Sequence, residues 1–275
     1  MAPQVIRVIE VGDTARRLID GACGATVVAA LSRSLYLEVA GQLVWLGPPG
    51  STLHTRAIVA GDSPSVDRET RIEASFDLRN ARPWRPPALP SPIEPAILAR
   101  ESGRLVSIID RLGRPDGFGA LLVGRPPAFP LDRAAEDARG FLEACALHDA
   151  AAATAMGERL LGLGPGLTPA GDDLVGGAFF ARLLFTPTSD AWEEATVTIR
   201  TRARERTHPI SATLLGDLLD GSGYAPLHDL SLALTRGDEA SASGAAKRLI
   251  GIGHSSGWDI LTGFLGALGA AGRVR

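Results

Sequence analysis

The stretch 161-LGLGPGLTPAGDDLVGGAFFA-181 holds six glycines, two prolines and two adjacent aspartates. Thr168 followed by Pro169 has the order of a helix N-cap and a first helical residue. A helix is therefore predicted from about Pro169 to Leu184, straight after a loop spaced by Gly162, Gly164 and Gly166. Glycine at those places permits positive φ and close ligand approach. The first amides of the helix have no intrahelical partner and point into that loop, which makes it a candidate anion site. Asp172 and Asp173 lie in the first turns. They would repel a dianion unless a metal, an arginine or an amide-bearing substrate stands between. Acidic residues there are also stabilised by the helix dipole without any function. Adjacent helical residues point about 100° apart, so only one of the two can comfortably cap.

A second passage, 250-IGIGHSSGWDILTGFLGALG-269, repeats the first. Gly162-Leu-Gly164 matches Gly251-Ile-Gly253. After a loop shorter by three residues, Gly171-Asp-Asp173 matches Gly257-Trp-Asp259, Leu174 matches Ile260 and Gly177 matches Gly263. Ser255 or Ser256 would cap the second helix as Thr168 caps the first. An internal pseudo-repeat is one reading and coincidence in a glycine-rich helical chain the other. If the repeat is real, two helix starts face one pocket, and Asp173, Asp259 and His254 converge there. Between the passages, His208-Pro209 ends one helix and Ile210–Leu219 starts another, with Thr207 or Ser211 as its cap.

Several chemistries are excluded or disfavoured. No lysine follows the glycines, so the P-loop pattern is missing, and Leu167 stands where a dinucleotide fingerprint needs its third glycine. Lys247, the single lysine, sits in a helix-like AAKRLI, which argues against a Schiff base with pyridoxal phosphate. No HExxH or Cys/His cluster points to zinc. A hard divalent cation such as Mg²⁺ on Asp172, Asp173 and Asp259 stays open as the basis of a metal-dependent hydrolase.

A net charge of −3 and a pI of about 6.0 give no sign of nucleic-acid or anionic-membrane partners. Cys23 and Cys145 are widely spaced and read as reduced thiols. The N-terminus lacks a basic-then-apolar signal pattern and no apolar run reaches spanning length, so a soluble cytoplasmic protein is expected.

The predicted fold class is α+β, a strand-rich N-terminal lobe followed by a mainly helical C-terminal lobe. Residues 1–128 form the first lobe and 129–275 the second, with the break near the GRPPAFP at 124–130. Strands are expected at Val5–Glu10, Ala25–Leu31, Thr55–Val59 and 71–78, and 34-SLYLEVAGQLVWLG-47 reads as a hairpin turning at Ala40-Gly41. A helix starts near Asp13. Residues 83–95 hold six prolines and form an extended loop. Helical spacing marks 96–112, and 117-GFGALLVG-124 reads as a turn and short strand. One long alanine-rich helix is expected from Pro130 to about Leu161. Further helices are predicted at 190–206, 210–220, 226–235, 239–250 and 257–271.

GLGPGLTPAGDD, then Thr207, Ser211, Leu214 and Leu215 in a TxxxSxxLL pattern, then IGHSSGWD before a glycine-rich helix, resemble a bacterial family with a GLGPGLTPSGDD signature. That family includes the AllH subunit of oxamate carbamoyltransferase. The motifs cover about residues 158–270; the first half matches only in general layout. Ala170 stands where the family has serine, so no hydroxyl role carries over there. The resemblance implies a part in carbamoyl transfer, oxalurate plus phosphate to oxamate plus carbamoyl phosphate, together with other carbamoyltransferase subunits. On this reading Asp172, Asp173, His254 and Asp259 carry the chemistry. A small anionic substrate, bearing a phosphate or carboxylate, is bound by Gly164, Gly166, Leu167, Thr168, Thr207, Ser211, Gly253, Ser255 and Ser256. The competing reading is a non-catalytic subunit or sensor whose pocket binds a small anion without turnover.

Overall fold

The computed structural model describes residues 4–61, 71–72, 74–88, 94–184 and 189–269. It has the expected α+β order of a strand-rich part followed by a helical one. By packing, the chain divides into two compact units, Met1–Pro87 and Ala88–Arg275. The sequence reading set the division at 128/129 instead. The difference lies in helix 95–107 and the turns up to residue 123. Leu98, Leu105, Ile109, Phe118 and Leu122 share the buried core of the helical unit.

In the first unit, β1 (Gln4–Gly12) leads into the short helix α1 (Asp13–Ile19). Then follow β2 (Ala25–Ala30), β3 (Leu35–Val39), β4 (Gln42–Gly47), β5 (Ala57–Ala60), β6 (Arg71–Ile72), β7 (Ala74–Asp77) and β8 (Arg82–Trp84). They form one mixed sheet ordered β6-β2-β3-β4-β5-β1-β7, with β8 also on β1. The β3–β4 hairpin turns at Ala40 and Gly41, with φ of 51° and 73°. A two-residue turn with both φ values positive matches the twist of its strands. Leu35, Leu37 and Val39 alternate inward, as a half-buried strand requires. β5 runs parallel to β4 and antiparallel to β1, and is buried at every position. The expected loop at 83–95 begins as strand β8; residues 89–93 of it lie outside the described residues.

In the second unit, α2 (Pro95–Ser107) is followed by 3-10 turns at Ile109–Arg111, Gly117–Val123 and Leu131–Ala134. The strand expected at 117–124 is the second of these; Gly124, at φ 67°, closes it. The single long helix expected to 161 is two, α3 (Ala135–Ala146) and α4 (Ala150–Leu160). His148 takes a left-handed φ of 61°, and Asp149 caps α4 by accepting from the Ala152 amide at 2.9 Å. A good N-cap thus overrides helix-forming composition. α5 (Ala170–Arg182), α6 (Asp190–Arg206), α7 (Pro209–Leu219), α8 (Ala225–Arg236), α9 (Glu239–Leu249) and α10 (Ser256–Ala267) complete the unit close to their predicted places. No helix among the described residues is long and apolar enough to cross a membrane.

α5 and α10 are the buried centre of this unit. Every residue of Ala170–Ala181 and of Gly257–Ala267 is buried. A helix apolar all round needs partners on all sides, and glycines let these two approach backbone to backbone. A Cβ on Gly177 would lie 2.2 Å from the Ile260 carbonyl oxygen, and one on Gly263 would lie 2.0 Å from that of Leu174. The contacts are reciprocal between the residue pairs aligned by the sequence repeat, as a local two-fold relation between two copies demands. We predict that Gly263→Ala costs about 1–3 kcal/mol of stability by overpacking. Gly244→Ala on α9, where a Cβ has no neighbour closer than 3.8 Å, should leave stability unchanged or raise it. Urea denaturation of both variants checks this; equal midpoints would show that the crossing tolerates a methyl group.

Candidate functional site: two glycine loops and three buried carboxyls

The two passages fold alike. The Leu163 amide donates to the Leu160 carbonyl at 3.1 Å, and Gly171 donates to Leu163 at 2.9 Å. In the second copy Ile252 donates to Leu249 at 3.0 Å and Gly257 to Ile252 at 3.0 Å. A Cβ on Gly171 would sit 1.9 Å from the Leu160 oxygen, and one on Gly257 would sit 2.0 Å from that of Leu249. Each loop therefore folds back onto the end of the preceding helix, and only glycine fits the return. Gly162, Gly164 and Gly166 (φ 76°, 115° and 97°), like Gly253 (φ 62°), are left-handed. Pro165, Gly166, Gly251, Gly253 and His254 are exposed, while Gly164, Leu167 and Thr168 are half-buried.

The starts of α5 and α10 meet. Thr168 Oγ1 lies 3.1 Å from Ser256 Oγ, 88 residues away in sequence. This corrects the expected capping. α5 begins at Ala170 with Pro169 in the cap position, and no side chain caps it. The Thr168 hydroxyl is spent on the other loop. Ser255 occupies the cap position of α10, likewise without a side-chain cap bond.

Beneath the loops lie three buried aspartates with different environments. Asp172 accepts from the Gly162 amide at 2.8 Å, from Ser211 Oγ at 2.6 Å and from Thr207 Oγ1. Burial raises its pKa and these three donors oppose the rise. Its oxygens are committed to tying the first loop to α7. Thr207 and Ser211 are free for this because His208 caps α7, its Nδ1 accepting from the Ile210 amide at 3.2 Å. The expected cap at Thr207 or Ser211 is thereby replaced. Thr207 lies just before α7 and Ser211 in its first turn, and both hydroxyls reach the same Asp172 oxygen.

Asp173 is 6% exposed and its Oδ2 takes no hydrogen bond from the described residues. Burial, reinforced by the charge of Asp259, holds its carboxyl well above the usual range, against the nearby Ser256 hydroxyl. Asp259 is fully buried. Its Oδ1 accepts from the Phe118 amide at 2.6 Å and its Oδ2 is also unpartnered. Burial pushes its pKa to about 7; Asp116 adds to the rise, and the Phe118 amide and Ser255 hydroxyl oppose it. Asp173, expected together with Asp172 to repel an anion, is thus pushed toward the neutral form by desolvation, as Asp259 is.

His254 does not join them. Its side chain is 96% exposed, with Nε2 3.4 Å from Asp116 Oδ2. Among the described residues no three His, Cys, Asp or Glu side chains gather as a metal site. Asp172 in particular has its oxygens occupied by N–H and O–H donors. Sequence reasoning missed Asp116, Gly117 and Phe118. Gly117 read only as a turn residue, and no local pattern announces that a carboxyl from position 259 will sit against it.

The raised carboxyls have a pH consequence. A group with a folded pKa above its unfolded value binds more protons when folded, so stability falls as pH rises between the two values. For Asp259 that window runs from about 4, the ordinary carboxyl value, to about 7. We predict that the urea midpoint falls across this window and that Asp259→Asn flattens the fall. An unchanged slope in the variant would show that Asp259 does not titrate there.

Comparison with known proteins agrees with this geometry in extent. No curated protein and no solved structure matches the chain. Residues 160–268 match the family model described as oxamate carbamoyltransferase subunit AllH. The matched segment opens at the end of α4 and closes just past α10, so it spans both glycine loops and the helices that follow them. Over these residues the chain is similar to the AllH family.

Proposed function

We propose that this chain is a component of a carbamoyltransferase and that it binds a small anionic substrate where the starts of α5 and α10 meet. The observation that carries this reading is the Thr168–Ser256 contact, which joins two loops that are far apart in sequence. Backbone amides of glycine loops that lead into helix starts suit a phosphate or carboxylate. The backbones of Gly164, Gly166, Leu167, Thr168 and Gly253 would hold it, with the hydroxyls of Thr168, Ser255 and Ser256.

The reaction is oxalurate plus hydrogen phosphate to oxamate plus carbamoyl phosphate. A phosphate oxygen attacks the ureido carbonyl carbon and forms a C–O bond. The C–N bond to the oxamate nitrogen breaks, and the phosphate's proton ends on that nitrogen. A protonated Asp173 would donate a hydrogen bond to an anion instead of repelling it. Asp259, balanced near neutrality, suits the proton relay. Positioning and electrostatic placement would carry most of the rest. Asp172, Thr207 and Ser211 would act indirectly, by holding the first loop. His254, lying at the surface, would contact only a substrate part outside the loops or a partner subunit.

The test is phosphate-dependent formation of carbamoyl phosphate from oxalurate, by the chain alone and with candidate partner subunits. Turnover only with partners is the expected result. We expect Asp259→Asn to lower turnover by about 10²-fold or more, the range of general acid–base catalysis. Thr168→Val combined with Ser256→Ala should weaken phosphate binding roughly tenfold, the worth of one or two hydrogen bonds. Anion binding at the loops without turnover in any combination would instead assign the chain as a non-catalytic binding subunit. Absence of both would remove the proposal.

A further inference from the structure

We infer that the turn Asp116–Phe118, which lies outside the family-matched segment, is a positioning device for Asp259: it locks one carboxyl oxygen and leaves the other as the single exchangeable position. The geometry is specific. The Phe118 amide donates to Oδ1 at 2.6 Å. Gly117 is left-handed at φ 54°, and the carboxyl occupies the space where its side chain would be. A Cβ there would meet Oδ1 at 2.3 Å and Oδ2 at 2.8 Å. Trp258, next to Asp259, packs its side chain against Gly119 of the same turn, where a Cβ would find it at 3.0 Å. The turn and the start of α10 therefore form one packed unit around a carboxyl with no exposed surface.

Asp116 begins the turn. Its Oδ1 accepts from the Gly117 amide at 2.7 Å and its Oδ2 faces the His254 imidazole. The charged groups around Asp259 are then Asp116 with His254 on the outer side and Asp173 of α5 on the inner side. Among the described residues α2, α3 and α9 bring no charge that shifts it. The half-exposed Asp116 brings a surface charge to bear on a buried acid. The role of the second oxygen toward substrate rests on the proposed function; the seating of the first does not.

The experiment is a pH titration of the Asp259 carboxyl-carbon NMR shift in the free, aspartate-labelled chain, assigned with Asp259→Asn. The wild-type midpoint should lie well above that of an ordinary aspartate. Asp116→Asn, a surface change, should lower it by roughly half a pH unit through loss of a like charge. Gly117→Ala should raise it by roughly one unit by displacing the carboxyl from the Phe118 amide. Gly237→Ala, with a similar φ of 65° and no neighbour within 4 Å, carries the same backbone strain and should leave the midpoint unmoved. If Gly117→Ala does not fold, the Asp116→Asn arm decides. A wild-type midpoint in the ordinary range, or no movement in Asp116→Asn, overturns the inference. Because the titration needs no substrate, failure of the oxalurate assay would remove the proposed function and leave this result standing.

Discussion

The helical unit depends on the place where α5 and α10 touch through their backbones. Gly177 lies against the Ile260 carbonyl and Gly263 against that of Leu174, each with less space than a methyl group needs. Two helices without side chains at their crossing come closer than ordinary helix pairs, and close packing holds them to one arrangement. Everything else in the site follows from it. The two helix starts reach one another, the Thr168 and Ser256 hydroxyls touch, and Asp173 and Asp259 fall within electrostatic reach of each other.

That constraint also separates the aspartates into different roles. Asp172 points to α7 and is satisfied by three donors, which makes it an anchor for the loop that follows α4. Asp173 and Asp259 occupy equivalent places in the two copies. Each keeps one buried oxygen without a partner among the described residues. Burying an unpaired carboxylate is costly, and a carboxyl placed this way holds its proton to higher pH.

The 3-10 turn at Gly117–Val123 shows how far the site extends beyond its motifs. It supplies an amide to Asp259 and a seat for Trp258, yet it lies 141 residues away in sequence from the carboxyl it holds. The residues matched to the AllH family contain both loops but not this turn.

Much of this was legible in the chain itself. Hydrophobic periodicity located α6 to α10 closely, and Ala40-Gly41 specified the hairpin, because these depend on local geometry and local turn chemistry. The repeat of Gly171, Asp173, Leu174 and Gly177 at 257, 259, 260 and 263 was written in the residues, and with it the prospect that two helix starts share a site. Where local propensity competed with capping, as at Leu147–Asp149, composition misled. What only the tertiary structure decided was partnership. It directed Thr168 away from its own helix, gave Thr207 and Ser211 to Asp172, left His254 in solvent and placed the 116–118 turn on Asp259. Hydrogen bonds and desolvation act through space, and a linear pattern carries no record of which distant group will fill a given lone pair.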